Sequence, residues 1–534
     1  MQPTPLPIPR AESPEAAGIS SQALARIMRD IAAENLETHS IMVLRHGQVA
    51  FENFRRPYGP NEPHTLFSTS KSITAIAAGF AAAEGRLHLD DRVADLVPEL
   101  REFPHENWDR LQVVHLLRMS AGKHLNYLVD KRKKRWVHDF ARAEWKYAPG
   151  EGWHYCNENC YMICVIIQRL YNESVVDFLM PRLFGPLGIE RPFWETDGCG
   201  VETGGWGLYL KTEDVAKISL CYLNEGKYFG QQVIPADWVR ESSAMQTDTS
   251  DRDDEPIGSH GYGYGFWRNP PPGGFRMDGL FAQFSFIFPE YDACIVTTGG
   301  EGVMHNVTRA IFRQLPALFT PEEGEEPCAV PALPDYPVLP AAPRNPVQEE
   351  RLEGRVIRFT PATQRFCTRV GFPLSVIPGM IFFMSADKAG GIDKVRFRFA
   401  EDSVKFSWSE GAERNTVLCG MDGRPRKCRI TLGGVPFIMS CAAAWEGAPD
   451  APGGVLRLRL RCLTSVAERR LDFSFRGRAV VMLPRSAPGL DALRADSERF
   501  ARENIPLPLS DKFITGAVDT VLWLVEPRLV GYIQ

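Results

Sequence analysis

Leu66-Phe-Ser-Thr-Ser-Lys-Ser-Ile-Thr-Ala-Ile-Ala-Ala-Gly-Phe80 is the stretch on which the reading of this chain turns. Its apolar positions Ile73, Ile76, Ala77 and Phe80 recur at helical spacing, and Gly85 suits a helix end, so the spacing predicts a helix that starts at Ser68. Ser68 and Lys71 then lie one turn apart on one face. A serine hydroxyl attacks only when a neighbouring base takes its proton. Burial and the positive end of a helix both disfavour an ammonium, which would leave Lys71 neutral enough to be that base. The same backbone N–H groups favour a developing oxyanion. Taken alone, S-x-x-K is a weak signal, equally readable as a serine cap beside an exposed lysine.

Motifs C-terminal to Ser68 raise its weight. Glu84-Gly-Arg-Leu-His-Leu-Asp-Asp-Arg-Val93 precedes His115-Leu-Leu-Arg-Met-Ser-Ala-Gly122, then Ala148-Pro-Gly150 and Tyr155-Cys-Asn157. Later come Gly204-Gly-Trp-Gly207, Gly261-Tyr-Gly-Tyr-Gly-Phe-Trp267 and Asp278-Gly-Leu-Phe-Ala-Gln283. In this order the motifs resemble the class C β-lactamase-like branch of the penicillin-binding protein superfamily, which also holds carboxylesterases, D-aminopeptidases and aminohexanoate-oligomer hydrolases. The resemblance covers roughly residues 14 to 318.

The resemblance implies an α/β (α+β) domain of β-lactamase/transpeptidase type with a helical subdomain, the serine lying beneath their junction. It assigns Ser68 as nucleophile, Lys71 as its partner, Tyr155 as the acid/base that serves the leaving group, and Asn157 as a polar site residue. It makes the N–H groups of Ser68 and Leu280 the oxyanion donors. Many relatives carry Lys or His first in a K-T-G or H-x-G element, where this chain has Met277, Asp278 and Gly279. A neutral Met277 would not attract a substrate carboxylate. Asp278 would either meet a substrate amine or cap a turn. The expected function is hydrolysis of a small ester or amide through an acyl-enzyme, with no metal or organic cofactor. The alternatives are an aminopeptidase-like amidase for amine-bearing, D-amino-acid substrates and a catalytically silent binding protein of the same fold.

The 534 residues exceed what one core usually organises. Eight prolines between Pro321 and Pro346, mixed with acidic residues, mark a linker. The sequence therefore predicts a hydrolase domain over 1–320, a linker over 321–349, a β domain over 350–486 and a tail over 487–534. Within the first, Ser40 to Phe51 reads as a hairpin turning at His46-Gly47, and Phe284–Phe288 with Ala293–Thr297 as a second; a helix is expected from Met304 to Leu318. Past the linker, alternation as in Val395-Phe397-Phe399 and Leu471-Phe473-Phe475 predicts an antiparallel barrel or sandwich, lipocalin-like. Arg457, Arg459 and Arg461 read as a solvated strand face, and the tail as a docked helix around Leu490 to Asn504.

A net charge of -5 gives no general pull towards nucleic acid, and the basic run Lys131 to Arg135 reads as a solvated edge. The proline-rich Met1 to Arg10 lacks the pattern of a secretory leader, and Phe372 to Ala386 is too interrupted to span a bilayer, so a cytoplasmic protein without membrane contact is expected. Cys156, Cys160 and Cys164 fall on one helix face and read as buried small apolar residues, since no histidine completes a zinc spacing. Oligomeric state is left open.

Overall fold

The computed structural model describes residues 7–123, 136–251, 258–271, 273–359, 391–447, 453–466 and 468–487, and in the C-terminal stretch 510, 512, 514–516, 519, 520, 526 and 528–534. The basic run at 131–135, the apolar stretch at 372–386 and the helix expected at 490–504 lie outside the described residues. The chain divides into two compact units, Met1–Pro334 and Asp335–Gln534.

The first unit is organised by a six-stranded antiparallel sheet. Its strands are β1 (Thr38–Arg45), β2 (Gln48–Phe54), β3 (Trp267–Arg268), β4 (Phe275–Gly279), β5 (Gln283–Phe288) and β6 (Ala293–Gly299), in the order β2-β1-β6-β5-β4-β3. The first hairpin turns on His46 and Gly47, both at positive φ (51° and 72°), the conformation a two-residue turn needs to follow strand twist. Strand β1 pairs with β6, Ile41 opposite Thr297 and Val43 opposite Ile295, so the two ends of the unit close the sheet around a helical middle.

One face of the sheet is dry. Ile41, Val43, Phe284, Phe286 and Ile295 pack there against Leu24, Ile27 and Ile31 of helix α1 (Ser21–Ala33), which Ser20 caps by accepting the Ala23 N–H. Three further helices matter for the site: α2 (Ser70–Ala83), α3 (Asn157–Tyr171) and α4 (Thr212–Leu223). Beyond the sheet, the helix expected over 304–318 is two, His305–Phe312 and Leu315–Phe319. Pro316 in the first turn of the second has no N–H for an uninterrupted ladder.

The second unit is a closed barrel. Its strands are β7 (Val356–Phe359), β8 (Ile392–Phe399), β9 (Ser403–Glu410), β10 (Glu413–Gly420), β11 (Arg426–Leu432), β12 (Val435–Glu446), β13 (Val455–Cys462), β14 (Glu468–Arg476), β15 (Ala479–Ala487) and β16 (Leu529–Ile533). Nine form the ring β10-β9-β8-β7-β16-β15-β14-β13-β12, closed where Gly420 meets Ala442, and β11 hairpins onto β12. Phe397, Phe406, Leu458, Leu471 and Phe473 fill the interior. The expected C-terminal tail is corrected by this topology: its Leu529–Ile533 segment is a ring strand between β7 and β15, because its alternating Leu529, Gly531 and Ile533 face the interior. On β13, Arg457 is exposed as expected and pairs with Glu446 (2.6 Å). Arg461 departs from the expected solvated face: it is buried, and buried Glu468 matches its charge at 3.0 Å. Among the described residues no helix is long and apolar enough to cross a membrane.

Candidate active site

The residue before Ser68 fixes the local geometry. Phe67 has φ +46°, a left-handed conformation that costs a bulky side chain energy. It opens a short 3-10 turn, Phe67–Thr69, and α2 begins only at Ser70. The helix therefore starts two residues later than its spacing predicts, and half-buried Ser68 stands in the tight turn just outside it. Hydroxyls lock this turn and helix in place: Thr69 Oγ1 donates to the Gln283 carbonyl (3.0 Å), Thr74 Oγ1 to that of Gly204 (2.8 Å), and Ser70 Oγ accepts the Leu208 N–H (3.3 Å).

Lys71 is 1% exposed and stands at the centre of the cluster. Its Nζ lies 2.9 Å from Ser68 Oγ, 2.6 Å from Asn157 Oδ1 and 2.8 Å from the Gly205 carbonyl. Burial lowers the amine to about 8, against the opposing pull of nearby acidic groups, with Cys160 first among them and Glu158 next. Gly205 must be glycine for this contact: a Cβ there would lie 2.9 Å from the Asn157 carbonyl and 3.0 Å from its Cβ. Tyr155 presents its ring to the same amine, Nζ standing 4.6 Å from the ring centroid. Asn157, the first residue of α3, and Tyr155, just before that helix, thus reach Lys71 from the helical side.

The sheet contributes β4. A Cβ on Gly279 would come 2.3 Å from the Leu66 carbonyl and 2.9 Å from Thr69 Oγ1, so only glycine lets the strand end, and Leu280 after it, close against the Ser68 turn. Phe281 and Ala282 continue in the left-handed region. Gln283 staples this turn, its Nε2 donating to the carbonyls of Phe281 (2.9 Å) and Gly299 (2.8 Å).

Three of the residues singled out on β4 behave differently from one another. Gly279 makes the close approach just described. Met277 does not reach the Ser68–Lys71 cluster: it is fully buried, paired with Ser285, whose Oγ meets Ser219 of α4 at 2.6 Å, so its side chain faces that helix. Strand alternation puts Arg276 and Asp278 on the opposite face. Asp278 neither caps a turn nor stands ready for an amine alone; its Oδ2 lies 2.8 Å from Nε of Arg276, which is itself 1% exposed. The guanidinium lies over the Trp267 ring at 5.7 Å.

The motif reading missed Arg276, although an Arg and an Asp two apart on a strand share a face and the signal was legible. It also gave no role to the aromatic wall. Tyr155 and Trp153 pack with Tyr262 and Trp267, the rings contacting at 4.9 to 6.2 Å between centroids. Burial pushes the Tyr262 phenol well above its usual range, so it stays neutral. Cys156, Cys160 and Cys164 are buried free thiols. No cluster of three or more metal-ligating side chains is present among the described residues.

Comparison with known proteins matches the sequence of this unit to one family. The chain is 26% identical over 302 residues to a 6-aminohexanoate-dimer hydrolase from Paenarthrobacter ureafaciens, covering 51% of this chain and 76% of that one. It is 24% identical over 188 residues to a beta-lactamase from Yersinia enterocolitica, covering 35% of this chain and 47% of the relative. A penicillin-binding protein homologue from Caulobacter crescentus superposes with a TM-score of 0.45 at 18% identity, over 55% of this chain and 97% of that one. The family model described as Beta-lactamase matches residues 24–305, a span that contains Ser68, Lys71, Tyr155, Asn157 and β4. The chain belongs to the beta-lactamase family, within the serine β-lactamase and penicillin-binding protein superfamily of hydrolases.

Proposed function

We propose that the protein hydrolyses a small neutral ester or amide through an acyl-enzyme on Ser68. The observation that carries the reading is the environment of Lys71 Nζ. A neutral amine has two N–H donors and one lone pair. The Asn157 and Gly205 oxygens take the two hydrogens, which turns the lone pair towards Ser68 Oγ at 2.9 Å. Lys71 accepts the hydroxyl proton as Oγ attacks the carbonyl carbon, and the N–H groups of Ser68 and Leu280 receive the oxyanion. Tyr155 protonates the leaving alcohol or amine, and water then releases the acid by the reverse sequence.

The wall of Trp153, Tyr155, Tyr262 and Trp267 supports an apolar substrate body, since aromatic faces bind apolar groups over a large area. Asp278 is committed to Arg276, which disfavours the aminopeptidase-like alternative: an incoming ammonium would have to compete with a buried guanidinium. That a relative is named as a hydrolase of 6-aminohexanoate dimer supports hydrolysis as the reaction class.

The test is covalent labelling with a fluorophosphonate. The Ser68 peptide is expected to carry the adduct, while Ser68→Ala loses both label and activity and keeps its melting temperature. Label on another residue, or undiminished hydrolysis by Ser68→Ala, would overturn the assignment.

A further inference from the structure

The outer face of the barrel carries a cluster of cations that hydrolysis at Ser68 does not use. Arg358 on β7, Lys394, Arg396 and Arg398 on β8, Lys405 on β9 and Arg414 on β10 line one depression of about 570 Å³. Among the described residues only Lys394 of these six has a carboxylate within ion-pair distance, Asp393 at 3.7 Å. Register sets like charges directly opposite one another: Arg358 faces Lys394, and Arg398 faces Lys405. Such pairs destabilise a sheet.

Two of the three arginines on β13 of the same barrel are matched by carboxylates. Arg457 stands opposite Asp472 and Arg461 opposite Glu468, and both reach carboxylates, while Arg459, opposite Arg470, donates to the Pro337 carbonyl at 3.1 Å. Across β7 to β10 the residues between the cations are instead hydroxyl donors, Ser407 beside Arg396 and Ser409 beside Lys394 and Arg414, with Thr416 Oγ1 donating to Ser407 Oγ at 2.9 Å. Cations at strand spacing, about 4.8 Å between strands and about 6.7 Å along them, interleaved with hydroxyls, match the oxygens of phosphoryl groups. Four of the six are arginines, whose planar fork binds phosphate through two bonds.

We propose that this depression is a binding site for a compact oligoanion bearing several phosphoryl groups. Its volume is that of a small-molecule site, and a recessed cation floor suits a discrete anion better than a flat bilayer or an extended duplex. The anion neutralises the opposed like charges, so its binding also stabilises the barrel.

The experiment is calorimetric titration of the full chain with sodium tripolyphosphate at moderate salt, repeated with the double variant Arg396→Ser/Lys405→Ser and with Arg457→Ser as the ion-paired control. Vesicles of phosphatidylcholine with and without a phosphoinositide bisphosphate form a second arm, and a duplex DNA oligomer a third. We expect one site for tripolyphosphate, an affinity lower by about a hundredfold in the double variant through two lost charge-assisted contacts of about tenfold each, and no change in the control. Binding of the phosphoinositide vesicles that tripolyphosphate competes away, and that the double variant loses, supports the site and names a lipid headgroup as the source. No binding of tripolyphosphate overturns the proposal. So does binding that the double variant keeps, or a stronger affinity for the duplex. A melting temperature equal to or above wild type shows that the double variant, relieved of the Arg398–Lys405 opposition, is folded, and its Ser68-dependent hydrolysis is expected to be unchanged.

Discussion

If Lys71 is the base, its protonation sets the pH at which the enzyme works, and Asn157→Asp moves that pH in a calculable direction. Only the neutral amine accepts a proton, so the rate rises with pH and levels off above the amine's own pKa of about 8. About one tenth of the wild-type amine is neutral at pH 7 and about nine tenths at pH 9, which predicts a climb of roughly tenfold between them. Asn157 Oδ1 is 2.6 Å from Nζ. A carboxylate in that place favours the ammonium and raises its pKa by about 1 to 3 units. The neutral fraction at pH 7 then falls to between about one in a hundred and one in ten thousand, and hydrolysis with it by roughly 10- to 1000-fold. Activity returns as the pH passes the new midpoint. The assay is kcat/KM for a neutral short-chain p-nitrophenyl ester from pH 6 to 10 at constant ionic strength, corrected for spontaneous hydrolysis. A wild-type profile that stays flat across pH 7 to 9, or a variant whose midpoint equals the wild type's, refutes Lys71 as the base.

Tyr155→Phe keeps the ring over Lys71 and removes only the hydroxyl; it is expected to lower kcat by about a hundredfold or more with little change in KM, and equal kcat would remove Tyr155 from proton transfer. Gly279→Ala drives a methyl towards the Leu66 carbonyl, which a Cβ meets at 2.3 Å. It should cost about 1 to 3 kcal/mol in denaturant unfolding and lower the rate of fluorophosphonate labelling at Ser68. Met277→Lys buries a cation against α4, away from the Ser68 cluster; the expected result is a loss of about 3 kcal/mol or more and no gain of turnover on carboxylate-bearing β-lactams, and a stable variant with improved β-lactam turnover would contradict the orientation of this strand.

The juxtaposition of Ser68 and Lys71 was legible because it is local. Ser68 and Lys71 sit one turn apart, and periodicity alone puts them together. The two hairpins and the alternation of the barrel strands were legible for the same reason, since turn residues and period-two burial are written in adjacent positions. Contacts made by single atoms across the chain were not. Nothing near residue 205 announces that its carbonyl will hold Lys71, and the left-handed backbone of Phe67 is imposed by the strand and loops around it. Met277 was misplaced because a motif was compared letter by letter, whereas a strand reads every second residue to each face. The pair that β4 sends to one face is Arg276 and Asp278. Leu529–Ile533 is too short to declare itself, and only the unpaired edges of β7 and β15 make it a strand.

That last insertion bears on how the barrel comes into being. Strand β16 hydrogen-bonds to β7, far earlier in the chain, and to β15. A ribosome delivering the chain from its N-terminus releases β7 through β15 as a curled ribbon with two open edges, and the ring shuts only when residues 529–533 leave the exit tunnel. Until then those edges are exposed to other nascent chains, the condition under which strands pair with the wrong partner. Removing this short segment would therefore damage the yield of folded protein far more than its length suggests.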